Sequence, residues 1–152
     1  MFLGGDGEGE SGNTVTCVTF DDPPETPSGV FIDDYDDLLL LDEVWSWYAR
    51  GGDGAPANGV ALNDRDYRLG FIGHARPVRW LQVDVVSWDS TMPLVITAVN
   101  PSGDNQNVAT GEVPELGNAT LNLTSWSTPT TEIGIDSTDT NNFIIDQVCY
   151  QE

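Results

Sequence analysis

The sequence predicts an all-β chain, a two-sheet antiparallel β-sandwich or jelly roll with its first and last strands adjacent. Three observations point there. Short β-branched and aromatic runs recur about every ten residues between turn-forming segments, and no long helical pattern interrupts them. The only two cysteines fall in strand-like runs at opposite ends, Val15-Thr16-Cys17-Val18-Thr19-Phe20 and Phe143-Ile144-Ile145-Asp146-Gln147-Val148-Cys149-Tyr150. Carboxylates stand at the same two places, Asp21 and Asp22 after the first run and Asp146 inside the last. Terminal strands lying side by side would bridge Cys17 to Cys149 and gather the three aspartates at one seam.

The elements follow in order. Residues 1–13 hold an apolar tip, Met1-Phe2-Leu3, and then a Gly/acid run that cannot bury apolar surface. They are expected to form a flexible N-terminal segment ahead of a β-sandwich domain at 14–152. The tip is either a disordered end or a strand donated to a neighbouring subunit. Val15 to Phe20 is the first strand, and the Pro-rich stretch from Asp22 to Gly29 is a loop, because proline cannot donate to a ladder. The region from Val30 to Tyr48 reads as extended, with a turn at Asp42-Glu43. Val60–Asn63 and Tyr67–Phe71 are short strands. His74, the only histidine, reads as a loop residue.

Val78 to Trp88 is the longest candidate strand. Alternation places Leu81, Val83 and Val85 on one face and Trp80, Gln82, Asp84, Val86 and Trp88 on the other. Further strands are expected at Leu94–Val99, Asn107–Val113, Ala119–Leu123 and Glu132–Asp136, before the closing run.

Composition narrows the partners. The 152 residues are 39% hydrophobic, enough for one domain with a core. Asp and Glu number 25 against five basic residues, all arginine, for a formal net charge of −20. Such a surface repels nucleic acid and anionic membranes and leaves cations, neutral polymers or basic surfaces as partners. Most of the charge reads as solvation in a salty or acidic extracellular setting. A bridge across some 130 residues would contribute roughly 4–5 kcal/mol in the chain-entropy model. Its compartment would be oxidising, whereas a cytosolic chain would carry two buried thiols.

Two sequons, Asn118-Ala119-Thr120 and Asn122-Leu123-Thr124, agree with secretion as glycosylation sites. No apolar run approaches the length of a membrane helix. Met1-Phe2-Leu3 is too short for a signal peptide, so the chain reads as a mature form, extracellular or at the cell surface.

Four segments resemble a family of secreted jelly-roll, carbohydrate-binding-like β-sandwich modules. They are Val18-Thr19-Phe20-Asp21-Asp22, the acidic and tyrosine-bearing Ile32 to Leu38, Val83-Asp84-Val85 with Pro93 to Val99 and Gly103, and Phe143 to Val148. The resemblance spans most of residues 15–150. It implies a non-catalytic module with a structural calcium between the first and last strands. Asp146-Gln147 stands where such modules often carry two acids, which leaves the number of metal ligands open.

Calcium takes several hard oxygen ligands, and Asp21, Asp22 and Asp146 would supply three if the ends pair. The acidic run Asp33, Asp34, Asp36 and Asp37 lacks the spacing of an EF-hand loop and reads as solvated charge. Aromatic side chains stack on the apolar face of a sugar ring, which makes the tryptophans candidate ligand contacts. Trp88 and Trp126, near loops, are favoured for exposure. Trp45 and Trp47 share one strand face, which is either core or binding surface. A hydrolase is the third and weakest reading: bridged cysteines leave no Cys-His pair, and among 25 acids no carboxylate pair is informative. The expected function is binding or adhesion, to carbohydrate first. The alternative is a self-assembling subunit of an extracellular filament or surface layer, with Met1, Phe2 and Leu3 inserted in the next copy.

Overall fold

A computed structural model describes residues 14–25, 27–51, 55–62, 69–88, 91–99, 105–115, 117–126, 128–137 and 143–152. Among them the chain is all-β: twelve strands, all antiparallel, and one 3-10 turn. The strands are β1 Val15–Val18, β2 Val30–Phe31, β3 Asp34–Tyr35, β4 Leu38–Leu40, β5 Trp45–Tyr48, β6 Gly59–Leu62, β7 Leu69–Ser87, β8 Met92–Val99, β9 Asn105–Val113, β10 Asn118–Asn122, β11 Thr130–Asp136 and β12 Phe143–Gln151. The 3-10 turn covers Leu41–Glu43, and Asp42 and Glu43 both take positive φ there, where the sequence places a turn.

The two strands expected between Tyr67 and Trp88 are one. β7 runs nineteen residues and serves two sets of neighbours. Its first part pairs with β4 and β11, and β11 continues to β8 and β9. Its second part pairs with β12 and β10, and β12 continues to β6, β5 and β2. Between them, at His74–Pro77, the β11 register slips: Gly73 faces Glu132, but Val78 already faces Thr130. Pro77 has no N–H to give a ladder, so the break is the place in this strand that tolerates it. His74 is therefore a strand residue, not a loop residue. It is buried against Tyr150 at 4.9 Å, and its Nδ1 accepts the Arg76 amide at 3.1 Å.

A second irregularity corrects the expected face of Trp80. Tyr150 faces Trp80 while Cys149 faces Gln82, so Leu81 is the extra residue of a bulge. The bulge shifts the alternation by one. Trp80 joins Val83 and Val85 in the core, its indole N–H donating to the Thr130 carbonyl at 3.1 Å, while Leu81 is half-buried. Gln82, Asp84, Val86 and Trp88 keep the opposite face.

The core takes side chains from both sets of ladders. Leu38, Leu40, Leu94, Ile96, Ile133 and Ile135 come from one, and Trp45, Trp47, Val85, Phe143, Ile145 and Val148 from the other. Trp45 donates to the Phe71 carbonyl at 3.0 Å, and Trp47 stacks on Tyr35, which packs on Phe20. Gly70 is what admits Trp45, since a Cβ there would lie 2.5 Å from its Cζ2.

The chain ends meet as expected. β1 pairs antiparallel with β12, Cys17 directly opposite Cys149, and the two are disulfide-bonded. β1 is short, and its Val15 is exposed, so little apolar burial holds it. The bridge closes a separation of 132 residues, worth about 5 kcal/mol in the chain-entropy model. The double variant Cys17→Ala/Cys149→Ala should lose about that much unfolding free energy by denaturant titration, with its far-ultraviolet dichroism unchanged. A loss under about 1 kcal/mol would show that the cross-link adds little to the ladder beneath it.

Candidate functional site

The disulfide seam leads to a pocket on the outer side of the β12–β7–β10 ladder. Its volume is about 450 Å³, within the range of small-ligand sites. Its polar lining is Asp21, Arg50, Asn58, Asn118 and Asp146, and Pro56, Ala57, Val86 and Gly117 complete the wall.

Each part has a local cause. Phe20, two residues past β1, takes positive φ and buries its ring in the core, and the next residue, Asp21, lines the pocket. Thr19 holds the Asp21 carboxylate with a hydroxyl bond of 2.9 Å. Asp146 is the extra residue of a bulge in β12: Ile145 faces Val85 and Gln147 faces Asp84, with Asp146 between. The bulge places a carboxylate at the pocket in a strand whose flanking residues Ile145 and Val148 are core. Arg50 and Asn58 stand at the two ends of the β5–β6 loop, clasped by the Arg50 amide donating to Asn58 Oδ1 at 2.6 Å. Asn118 opens β10 opposite Val86, and the Ser87 amide donates to the Gly117 carbonyl at 2.9 Å.

Burial raises the Asp146 carboxyl above its ordinary range. The Asp84 and Asp21 carboxylates push the same way, and the Arg50 guanidinium opposes them. Among the described residues, the ion pair within 4 Å is Arg76–Glu152, neither of which lines the pocket, so Arg50 meets the pocket carboxylates only at longer range. The pocket thus presents a guanidinium and amide donors beside carboxylate acceptors.

The expected site residues separate. Asp21 and Asp146 come together in the pocket. Asp22 does not line it; its carbonyl accepts the Tyr35 hydroxyl instead. Among the described residues, no group of three or more His, Cys, Asp or Glu is placed to hold a metal ion. Trp45, Trp47 and Trp126 are buried and present no face to a ligand. The loop setting of Trp126 suggests exposure, but the residue ends a tight turn, its amide donating to the Leu123 carbonyl at 2.9 Å, and drops inward. Arg79 holds that turn from outside through the Thr124 and Trp126 carbonyls. Trp88, just past the end of β7, is half-buried, edge-on to Tyr48 at 5.0 Å and packed with it against Ala55, Ala61 and Ile144. Met1, Phe2 and Leu3 lie outside the described residues.

The sequence reading missed Arg50, Asn58 and Asn118 as pocket residues, Asn118 having been noted only as a sequon. The signal for Arg50 was its rarity, one of five cations in a chain of net charge −20. Nothing in the spacing of residues 50, 58 and 118 joins them before the strands are paired.

The raised carboxyl makes Asp146 a source of pH dependence. A folded-state value above the unfolded one stabilises the protein while the group is protonated, and that contribution is lost as pH rises through the folded value. In a chelating buffer, Asp146→Asn should therefore raise Tm at neutral pH. The gain should vanish below about pH 4, the ordinary range of aspartate. A variant less stable than the parent at neutral pH would show the ionised carboxylate to be held by a favourable contact.

The described residues contain no helix long and apolar enough to cross a membrane. Compared with known proteins, the chain matches no family model, no curated protein and no solved structure.

Proposed function

We propose that this chain is a non-catalytic extracellular module that binds carbohydrate through the Asp21–Arg50–Asp146 pocket. The observation that carries this reading is the lining itself. Vicinal hydroxyls both donate and accept, and the pocket offers carboxylates to accept and a guanidinium and two amides to donate. Val86, Pro56 and Ala57 supply apolar wall for the faces of a sugar ring. The fold we read for it is a sandwich of the jelly-roll kind, two sheets packed face to face and joined through β7. A single core shared by both sets of ladders supports that reading. The Cys17–Cys149 bridge is consistent with an extracellular setting. Bridged cysteines and a histidine packed into the core speak for binding rather than catalysis.

A glycan array probed with the full chain should return a ligand. Arg50→Ala should weaken its Kd about tenfold or more, the loss of a charge-assisted hydrogen bond. An array without a ligand, or a Kd indifferent to Arg50→Ala, would count against the reading.

A structural calcium at the seam belongs to the same proposal. Asp21 and Asp146 would hold it with the amide oxygens of Asn58 and Asn118, all hard oxygen donors, and water would complete the shell. The repulsion that raises Asp146 is what such a cation would relieve. Millimolar calcium should then raise Tm over a chelating buffer, and Asp21→Asn/Asp146→Asn should abolish the difference. Equal melting with and without calcium removes the ion from the proposal.

A further inference from the structure

The two sequons lie at the two ends of β10, and they stand differently to the pocket. Asn122 ends the strand and is exposed. Its Oδ1 accepts both the Thr124 amide at 2.9 Å and the Thr124 hydroxyl at 2.6 Å, an Asx turn that leaves Nδ2 as the remaining polar atom of the side chain. Asn118 opens the strand, is also exposed, and is itself part of the pocket wall, opposite Val86 and in company with Arg50.

We propose that Asn118 is an N-glycosylation site whose glycan lies in the pocket, so that modification closes the site that the bare chain leaves open. Asn122 is the second attachment point, and its glycan stands clear of the pocket. In the transfer, Nδ2 of the asparagine forms a bond to the anomeric carbon of a saccharide carried on a lipid pyrophosphate. The bond from that carbon to the phosphate oxygen breaks, the lipid pyrophosphate leaves with the electron pair, and an amide proton passes to a base. No oxidant or reductant takes part. A pocket of about 450 Å³ has room for a sugar ring attached at its rim. The consequence is a covalent choice between self-occupancy and ligand binding. The inference rests on the extracellular reading for its compartment alone, and on the pocket whatever that pocket binds.

The test uses the full chain from a eukaryotic secretory host beside the same chain from a non-glycosylating host. Glycopeptide mass spectrometry reads the occupancy of Asn118 and Asn122. Phenylglyoxal, an arginine-directed dicarbonyl, then reads the pocket without any ligand, with Arg76, 74% exposed, as the internal control. Glycan on Asn118 should slow Arg50 labelling several-fold relative to Arg76, and enzymatic removal of the glycan should restore it. Asn118→Gln and Thr120→Val, both made in the secretory host, should label Arg50 at the bare-chain rate while Asn122 stays glycosylated. A bare Asn118 in the secreted chain overturns the inference, whether or not Asn122 is occupied. So does full occupancy of Asn118 with Arg50 labelled as fast as in the bare chain. Because no ligand enters the readout, failure of the carbohydrate-binding proposal would leave this result standing.

Discussion

Backbone pairing along both edges of β7 is the constraint that the rest of the structure obeys. Its first part is flanked by β4 and β11, its second by β10 and β12, and the change of partners falls where proline and a slipped register interrupt the ladder. A strand hydrogen-bonded on both sides cannot leave its amides to water, so the neighbours are specified residue by residue. The bulge at Leu81 then decides which side chains of the second part face the core. Trp80 enters it, and Asp84, Val86 and Trp88 are left on the outer face where the pocket forms.

The pocket is a product of departures from regular strand geometry. Asp146 reaches it through a bulge in β12, Asp21 follows a left-handed residue, and Arg50 comes from a loop clasped by Asn58. Regular alternation from Ile145 would have turned Val148 outward; the bulge lets both face the core and leaves Asp146 outside. Its burial, with two other carboxylates near and one guanidinium opposing them, concentrates in one place the electrostatic tension of a chain with net charge −20. The hairpin that carries Asp33, Asp34, Asp36 and Asp37 exposes all four.

Much of the fold is legible in the sequence. The antiparallel all-β class, the turn at Asp42-Glu43 and the meeting of Cys17 with Cys149 follow from β-branched runs, turn residues and the placement of two cysteines. The pairing of Asp21 with Asp146 at one pocket followed from the same seam. That Leu69–Phe71 and Val78–Ser87 belong to one strand was not legible, because Gly73 and Pro77 locally argue for a break. The tryptophans misled for a related reason. Loop neighbours around Trp126 say nothing of whether the turn folds its ring inward, and that depends on Arg79 and a carbonyl three residues back.

By itself, then, the chain of residues determined its class, its cross-link and its acidity, since periodicity, cysteine position and charge are properties of local order. Tertiary structure alone decided which acids, amides and arginine share a pocket and which tryptophans are hidden. A bulge displaces side chains by one position and a loop clasp joins distant ones, and neither leaves a period in the sequence.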